Sequence, residues 1–543
     1  MKSPTETFRF LYGKIKREWR LAFLTCFFTG LLVHMPVLLS DIPNHDGLDS
    51  MYFDQNMITS GRWFLSAACG FSSFYTIPWV IGILGFVFLS LAAAVICEVL
   101  EVRKPWAVML CSGLLASFPA LTSTFAYVYT LDGYMLALLL AVLAVLCTKH
   151  FRLGFLSGGI CLAFSLGIYQ GYLPFVMVLS IFSVLMLMAG NGKDCGLWDQ
   201  KQGRKMSIQT RSGIPEGGQV WGKIRSALHY LYMGILGAGL YYGILQLLLR
   251  IQGRELNTYQ GIDGMVSGAA SGSGLLAASL RMYEDFFRFS LKGNVLFQNI
   301  FSLTAWILLA VSGAGAVILW SRGRKYWKNP VLLVIMVAAV LALPIGTNII
   351  LLISPDVNYH LLMRYQWVLY AIGAVALAEK GDAGTDKGSW TEWTAFGAAA
   401  VLVFCYCITD NIAYSNLQKR YEKTYAYCIR LLDRIEQTEG YYPGIPIAMV
   451  GVVGEEQYPV TDLTLPVTSG MIGMNGDSLL YRGDNYRLFI RNYLGATLNI
   501  LPPSAMEEMY YSEEYTAMDS FPGENSIRII DGIMYIKTEN VNR

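Results

Sequence analysis

The feature that most constrains this chain is its series of long apolar runs nearly bare of charge. A helix that crosses a bilayer needs about 20 mostly apolar residues, because each backbone N–H and C=O in lipid must be bonded within its own segment. Runs of that kind begin near Leu21, Ile77, Trp106, Gly133, Leu153, Leu173, Ala227, Ile300, Pro330, Tyr365 and Trp393. They predict about eleven spans, the third interrupted by Pro119. Composition agrees: 54% of the 543 residues are hydrophobic and 15% are charged, where a soluble domain carries roughly a quarter charged. The fold class expected is an all-α polytopic membrane protein. The first run is long enough to span and no small-residue cleavage site follows it, so it reads as a span.

Basic residues in short loops mark the cytoplasmic side. Segment 1–20 carries Lys2, Arg9, Lys14, Lys16, Arg17 and Arg20. Alternate threading puts Arg103–Lys104, Lys149–Arg152, Lys193 to Arg225, Arg322 to Lys328 and Lys380–Lys387 on that same side. The opposite side then receives 41–76, 119–132, 169–172, 251–296, 354–364 and the tail. Three units follow: a cytoplasmic N-terminal segment 1–20, a transmembrane domain 21–413 and an extracytoplasmic domain 414–543. The tail is richer in charge. Its "YEKTYAYCIRLLDRIEQ" has helical periodicity, while "IPIAMVGVV" and "SIRIIDGIMYIKT" read as strands, so a small α/β domain is expected. A net charge of +2 gives no reason to expect nucleic acid. The ten cysteines show no disulfide or zinc spacing.

Polar groups gather in the expected outer loops. The first, "LSDIPNHDGLDSMYFDQNMITSGRWF", holds His45, Asp46, Asp49, Asp54 and Arg62. A carboxylate facing a partly dry cavity can take a proton from a hydroxyl, and an arginine at headgroup depth can hold a phosphate bidentately. Asp132 in "AYVYTLDGYML" is a second outer carboxylate. "LGIYQGYLP" offers Tyr169, Gln170 and Tyr172, suited to a sugar ring or to an interfacial tyrosine belt. "SPDVNYHLLMRYQW" carries Asp356, His360 and Arg364. "LLAASLRMYEDFFRFSL" is amphipathic and suits the interface, following the flexible "GIDGMVSGAASGSG". Each also has a plain structural reading: aspartate caps, tryptophan anchors and arginine snorkels. Inside the spans, His34 and His229 are the main ionisable exceptions.

The stretches "NHDGLDSMYFDQNMITSGRWF" and "LGIYQGYL" resemble the glucosyl transferase GtrII family, polytopic bacterial enzymes similar to O-antigen glucosyltransferases. The resemblance covers roughly residues 20 to 410 and is carried best by "DGLD", "SGRWF" and "YQGY". It implies a GT-C type architecture in the bacterial plasma membrane. The implied donor is a polyprenyl-phosphate sugar and the acceptor a surface glycan. Asp46 or Asp49 would be the base, with Asp132 the second acidic position. Arg62 and Arg364 are the donor-phosphate candidates, and His45, Tyr169, Gln170, Tyr172 and His360 the other substrate contacts. No metal and no cofactor is expected. Rival readings are another transferase, ligase or polymerase on the same plan, or a flippase of lipid-linked glycan. The lack of repeats and of midplane charge argues against the flippase.

Overall fold

The computed structural model describes residues 3–40, 42–43, 47–48, 58–69, 78–189, 217–256, 272–292, 296–322, 329–354, 357–381, 389–450, 468, 471, 480 and 483–538. His45, Asp46, Asp49, Asp54 and Asp356 lie outside these residues, as does most of "GIDGMVSGAASGSG".

The helices follow the apolar runs. A short helix α1, Pro4–Lys14, opens with a capping box in which Ser3 and Glu6 bond each other's backbone N–H. Then come α2 (Arg17–Leu39), the short α3 (Leu65–Cys69), α4 (Pro78–Val99), α5 (Pro105–Ser117), α6 (Pro119–Phe125), α7 (Leu131–His150), α8 (Gly154–Ile168), α9 (Leu173–Ala189), α10 (Gly217–Gln252), α11 (Gly272–Lys292), α12 (Ile300–Arg322), α13 (Pro330–Thr347), a tight helical turn at Leu361–Trp367 that leads into α14 (Val368–Lys380), and α15 (Trp390–Glu436). Among the described residues nine helices are long and apolar enough to cross a membrane, and α5 with α6 makes a bent tenth. The bend, 46°, has a local cause. Pro119 pushes Phe118 into extended backbone (φ −70°, ψ 128°), which ends α5 before α6 begins. The remaining apolar run forms α8, shorter than the rest.

The bundle packs α2 against α4 and α5, α4 against α7, α7 against α8, and α8 against α10; α9 meets α13, and α12 meets α14 and α15. One apolar core runs through most of it.

The expected boundary at 413/414 falls inside α15, which is unbroken from Trp390 to Glu436. No proline or glycine stands between Gly397 and Gly440 to stop it. Its buried residues continue past the bundle as Tyr427, Cys428, Leu431 and Ile435 at helical spacing. The first half of this helix belongs to the bundle core. The second half is the central helix of a separate apolar cluster with the tail. Four strands lie on it in the order β2 (Asn499–Ile500), β1 (Pro446–Val450), β4 (Ile533–Lys537), β3 (Ile527–Ile530). β1 runs parallel to β2 and β4, and β3 and β4 form an antiparallel hairpin. That hairpin turns through Asp531 (φ 50°) and Gly532 (φ 78°). An Asp-Gly pair tolerates both positive φ values, so its twist matches the strands it joins.

Candidate active site at the tail end of the bundle

The two sequence motifs "SGRWF" and "YQGY" meet in space, more than a hundred residues apart in the chain. Gln170 Nε2 donates to the Ser60 carbonyl (3.2 Å) and to Tyr241 Oη (2.9 Å) on α10. Tyr241 in turn donates to the Gly61 carbonyl (3.2 Å). The backbone N–H of Phe64 donates to the Gly167 carbonyl at 2.8 Å. Two glycines allow this approach. Gly61 has φ +79°, and a Cβ there would fall 2.5 Å from Gln170 Nε2. At Gly167 a Cβ would fall 2.6 Å from the Trp63 ring. The contact therefore depends on the residue types that the motifs supply.

Arg62, between these anchors, has its guanidinium 5.7 Å from the Tyr169 ring centre. Tyr169 stacks on Tyr134 (4.4 Å) and meets Tyr172 edge-on (5.3 Å). Tyr169 and Tyr172 are both buried, so protein neighbours fill their ring faces. Burial holds the Tyr169 phenol well above its usual range, with Tyr134 adding to the rise and Arg62 opposing it. Asp132 sits in the first turn of α7, fully buried, where the helix dipole favours a carboxylate. Its Oδ1 accepts the Gly133 N–H at 2.9 Å, and Cys69 at the end of α3 lies beside it. Cys69 closes the short helix that directly follows "SGRWF", so Asp132 stands at the same end of the bundle as Arg62, Tyr169, Gln170 and Tyr172.

A second feature adjoins it, because the Gln170–Tyr172 turn packs on the Leu361–Trp367 turn. Arg364 is buried there and forks onto Asp285 of α11, at 2.6 and 2.9 Å. Its Nε donates to the Tyr359 carbonyl (3.2 Å), and its plane lies over the rings of Tyr359 (3.8 Å) and Phe289 (4.5 Å). Burial keeps the Tyr359 phenol above its usual range, although Arg364 pulls it down. An adjacent cavity of about 500 Å³ is lined by Arg281, Glu284, Asp285, Arg288, Lys292 and Arg364 among others. Tyr359 belongs to that lining and His360 does not. Arg364 thus comes with a carboxylate partner that its own loop did not disclose. α11 matches the amphipathic helix expected over 275–291, with Leu276, Leu280, Phe287 and Leu291 exposed along one face.

A third group was only half visible in the sequence. His34 Nε2 meets the Ala116 carbonyl at 2.8 Å, and Nδ1 meets Tyr414 Oη at 2.5 Å. The carbonyl can only accept, so Nε2 carries the proton and Nδ1 accepts from the tyrosine. One turn before Tyr414 stands Asp410, fully buried and facing Thr122. Asp410 escaped the sequence reading because a lone carboxylate three residues from a presumed span end looks like an end signal. Its helix continues, and that makes it a core residue. Among the described residues, no group of three or more His, Cys, Asp and Glu is placed to hold a metal ion.

A family model described as Glucosyl transferase GtrII matches residues 35–377, well over half of the chain. No curated protein and no solved structure matches it.

Proposed function

The chain belongs to the glucosyl transferase GtrII family, and from that premise we propose that it transfers glucose from a polyprenyl-phosphate donor to a surface glycan, on the membrane face that bears the tail. The observation that carries the reading is the convergence of "SGRWF", "YQGY" and Asp132 at one end of the bundle, beside a cavity rich in cations. A lipid-borne anion and a water-borne acceptor can both reach that level. The exposed apolar face of α11 suits the lipid boundary, and Arg281, Arg288, Lys292 and Arg364 suit a phosphate beneath it.

The mechanism is a single displacement. Asp46 or Asp49 takes the proton of an acceptor hydroxyl as its oxygen bonds to the anomeric carbon. The bond from that carbon to the phosphate oxygen breaks, and polyprenyl phosphate leaves with the electron pair. Cations offset the charge that develops on the phosphate. The anomeric centre inverts. For Arg364 to take part, the phosphate must displace Asp285 from its fork.

Transport of a lipid-linked glycan is the second reading, favoured by buried Asp410 and His34, since ionisable groups inside a bundle often line a pathway. The deciding experiment is a transfer assay on purified protein with radiolabelled polyprenyl-phosphate glucose, comparing wild type with Asp46→Asn and Asp49→Asn. Transfer that disappears in one of the two variants supports the reading and names the base. A wild type that moves fluorescent lipid-linked sugar across proteoliposomes without transferring it overturns the reading in favour of transport.

A further inference from the structure

Between Asp46 and Asp49 in the chain stand two described residues, and one of them packs into the tail. Gly47 and Leu48 are both buried. Leu48, 2% exposed, belongs to the apolar cluster of the tail with Tyr427, Leu431, Ile447 and Phe489, and not to the bundle core. The exchange runs the other way as well. Met471 of the tail is fully buried in the bundle core, and beside it Asn416 Nδ2 on α15 donates to Thr468 Oγ1 at 3.2 Å. Each part thus places an apolar side chain in the other's core. A tail tethered only by a linker would need neither contact.

We propose that Leu48 is a positioning residue for the acids on either side of it, and that the tail, by holding Leu48, is the frame that restrains them. Leu48 stands one residue before Asp49 and two after Asp46. Its anchorage therefore limits how far either carboxylate can stray. The proposal rests on the reading that this loop supplies the base, and it assigns the tail a role in that chemistry. A carboxylate displaced by about 1 Å can cost on the order of 100-fold in rate. Donor binding draws on Arg364 and α11, which the tail cluster does not include.

The test uses the full-length protein in detergent, as wild type and with Leu48→Ser, Leu48→Val and Leu48→Met. Two quantities are read: hydrogen exchange of the peptide spanning 41–57, and the transfer kinetics. In Leu48→Ser, exchange should rise at least tenfold and kcat should fall about 100-fold, while the donor KM holds. Leu48→Met, which keeps the apolar volume, should restore both, and Leu48→Val should fall between, serving in place of Leu48→Ser if that variant does not fold. Unchanged exchange in the Ser and Val variants overturns the proposal, as does an equal loss of kcat in Leu48→Met. If the wild type transfers no sugar, the functional reading fails, and exchange alone still decides whether the tail holds the loop.

Discussion

The two ends of the helical bundle treat charge in opposite ways. At the end carrying the N-terminus, acids are matched with bases. Glu98 accepts from Lys16 (2.8 Å), Trp19 (2.9 Å) and both Nη atoms of Arg103 (2.7 and 3.0 Å). Glu101 bridges Lys149 (2.6 Å) and Lys380 (3.1 Å), Glu379 accepts the backbone N–H groups of Arg103 and Lys104, and Glu392 pairs with Lys104. At the tail end, Asp132 and Asp410 are buried against tyrosines, hydroxyls and a thiol. The Asp285–Arg364 ion pair there opens on a cavity. Matched charge holds helices in register, whereas a carboxylate in a drier setting is available for proton transfer. The difference fits the proposed division, in which one end serves stability and the other chemistry.

Substitutions can break that division, and among the described residues the largest effect is expected at Asp132. Asp132→Asn keeps the shape and should lower turnover by about 10²- to 10⁴-fold, the range of general acid–base contributions, with little change in Tm. Full activity would remove Asp132 from the site. Next comes the Arg364 fork. Arg364→Lys loses bidentate geometry and should raise the donor KM by about tenfold, while Asp285→Asn frees the guanidinium and should lower it. Binding isotherms with the polyprenyl-phosphate sugar check both, and a rise in KM for Asp285→Asn would mean that the pair is structural.

Glu98→Gln probes the other end. It should cost about 1–2 kcal/mol, since several hydrogen bonds to a charged group are lost while its cations remain half-exposed. Activity per folded molecule should be retained, and a selective loss of activity would break the comparison. The smallest effect concerns acid. Burial alone would raise the Glu101 carboxyl, but Lys149 and Lys380 outweigh it and hold it down to about 2, from an ordinary 4.5. A depressed carboxyl stabilises the fold fully above its unfolded value and loses that contribution as pH falls toward the folded one. Tm should therefore be flat in this contribution above about pH 5 and decline below pH 4.5, and Glu101→Gln should shallow the decline.

Much of the fold was legible because each span answers to its own length and polarity. Of the eleven apolar starts, nine fall on helical segments, Leu153 directly precedes its helix, and Ile77 lies outside the described residues; Pro119 marks the bend. The amphipathic helix over 275–291 and the strands of the tail were equally local signals. The domain boundary was not legible. A helix leaving the membrane changes composition without changing structure, so the shift near residue 414 suggested an edge inside α15. The site was legible in part. "SGRWF" and "YQGY" stood out as motifs, but their contact through Gln170 needs Tyr241, which nothing near it in sequence marks. Tyr169 and Tyr172 suited a sugar ring or an interfacial tyrosine belt, yet they are buried, with Tyr169 stacked on Tyr134 and edge-on to Tyr172.

By itself, the sequence determined that the chain lies in a membrane, which runs form its helices, and where polar residues gather. Those properties follow from segments of about 20 residues meeting lipid one at a time. Only the tertiary structure decided that Arg62 would face Tyr169, that Asp285 would hold Arg364, and that Leu48 would leave its own bundle for the core of the tail. These are contacts between distant segments, set by how whole helices pack, and no spacing along the chain encodes them.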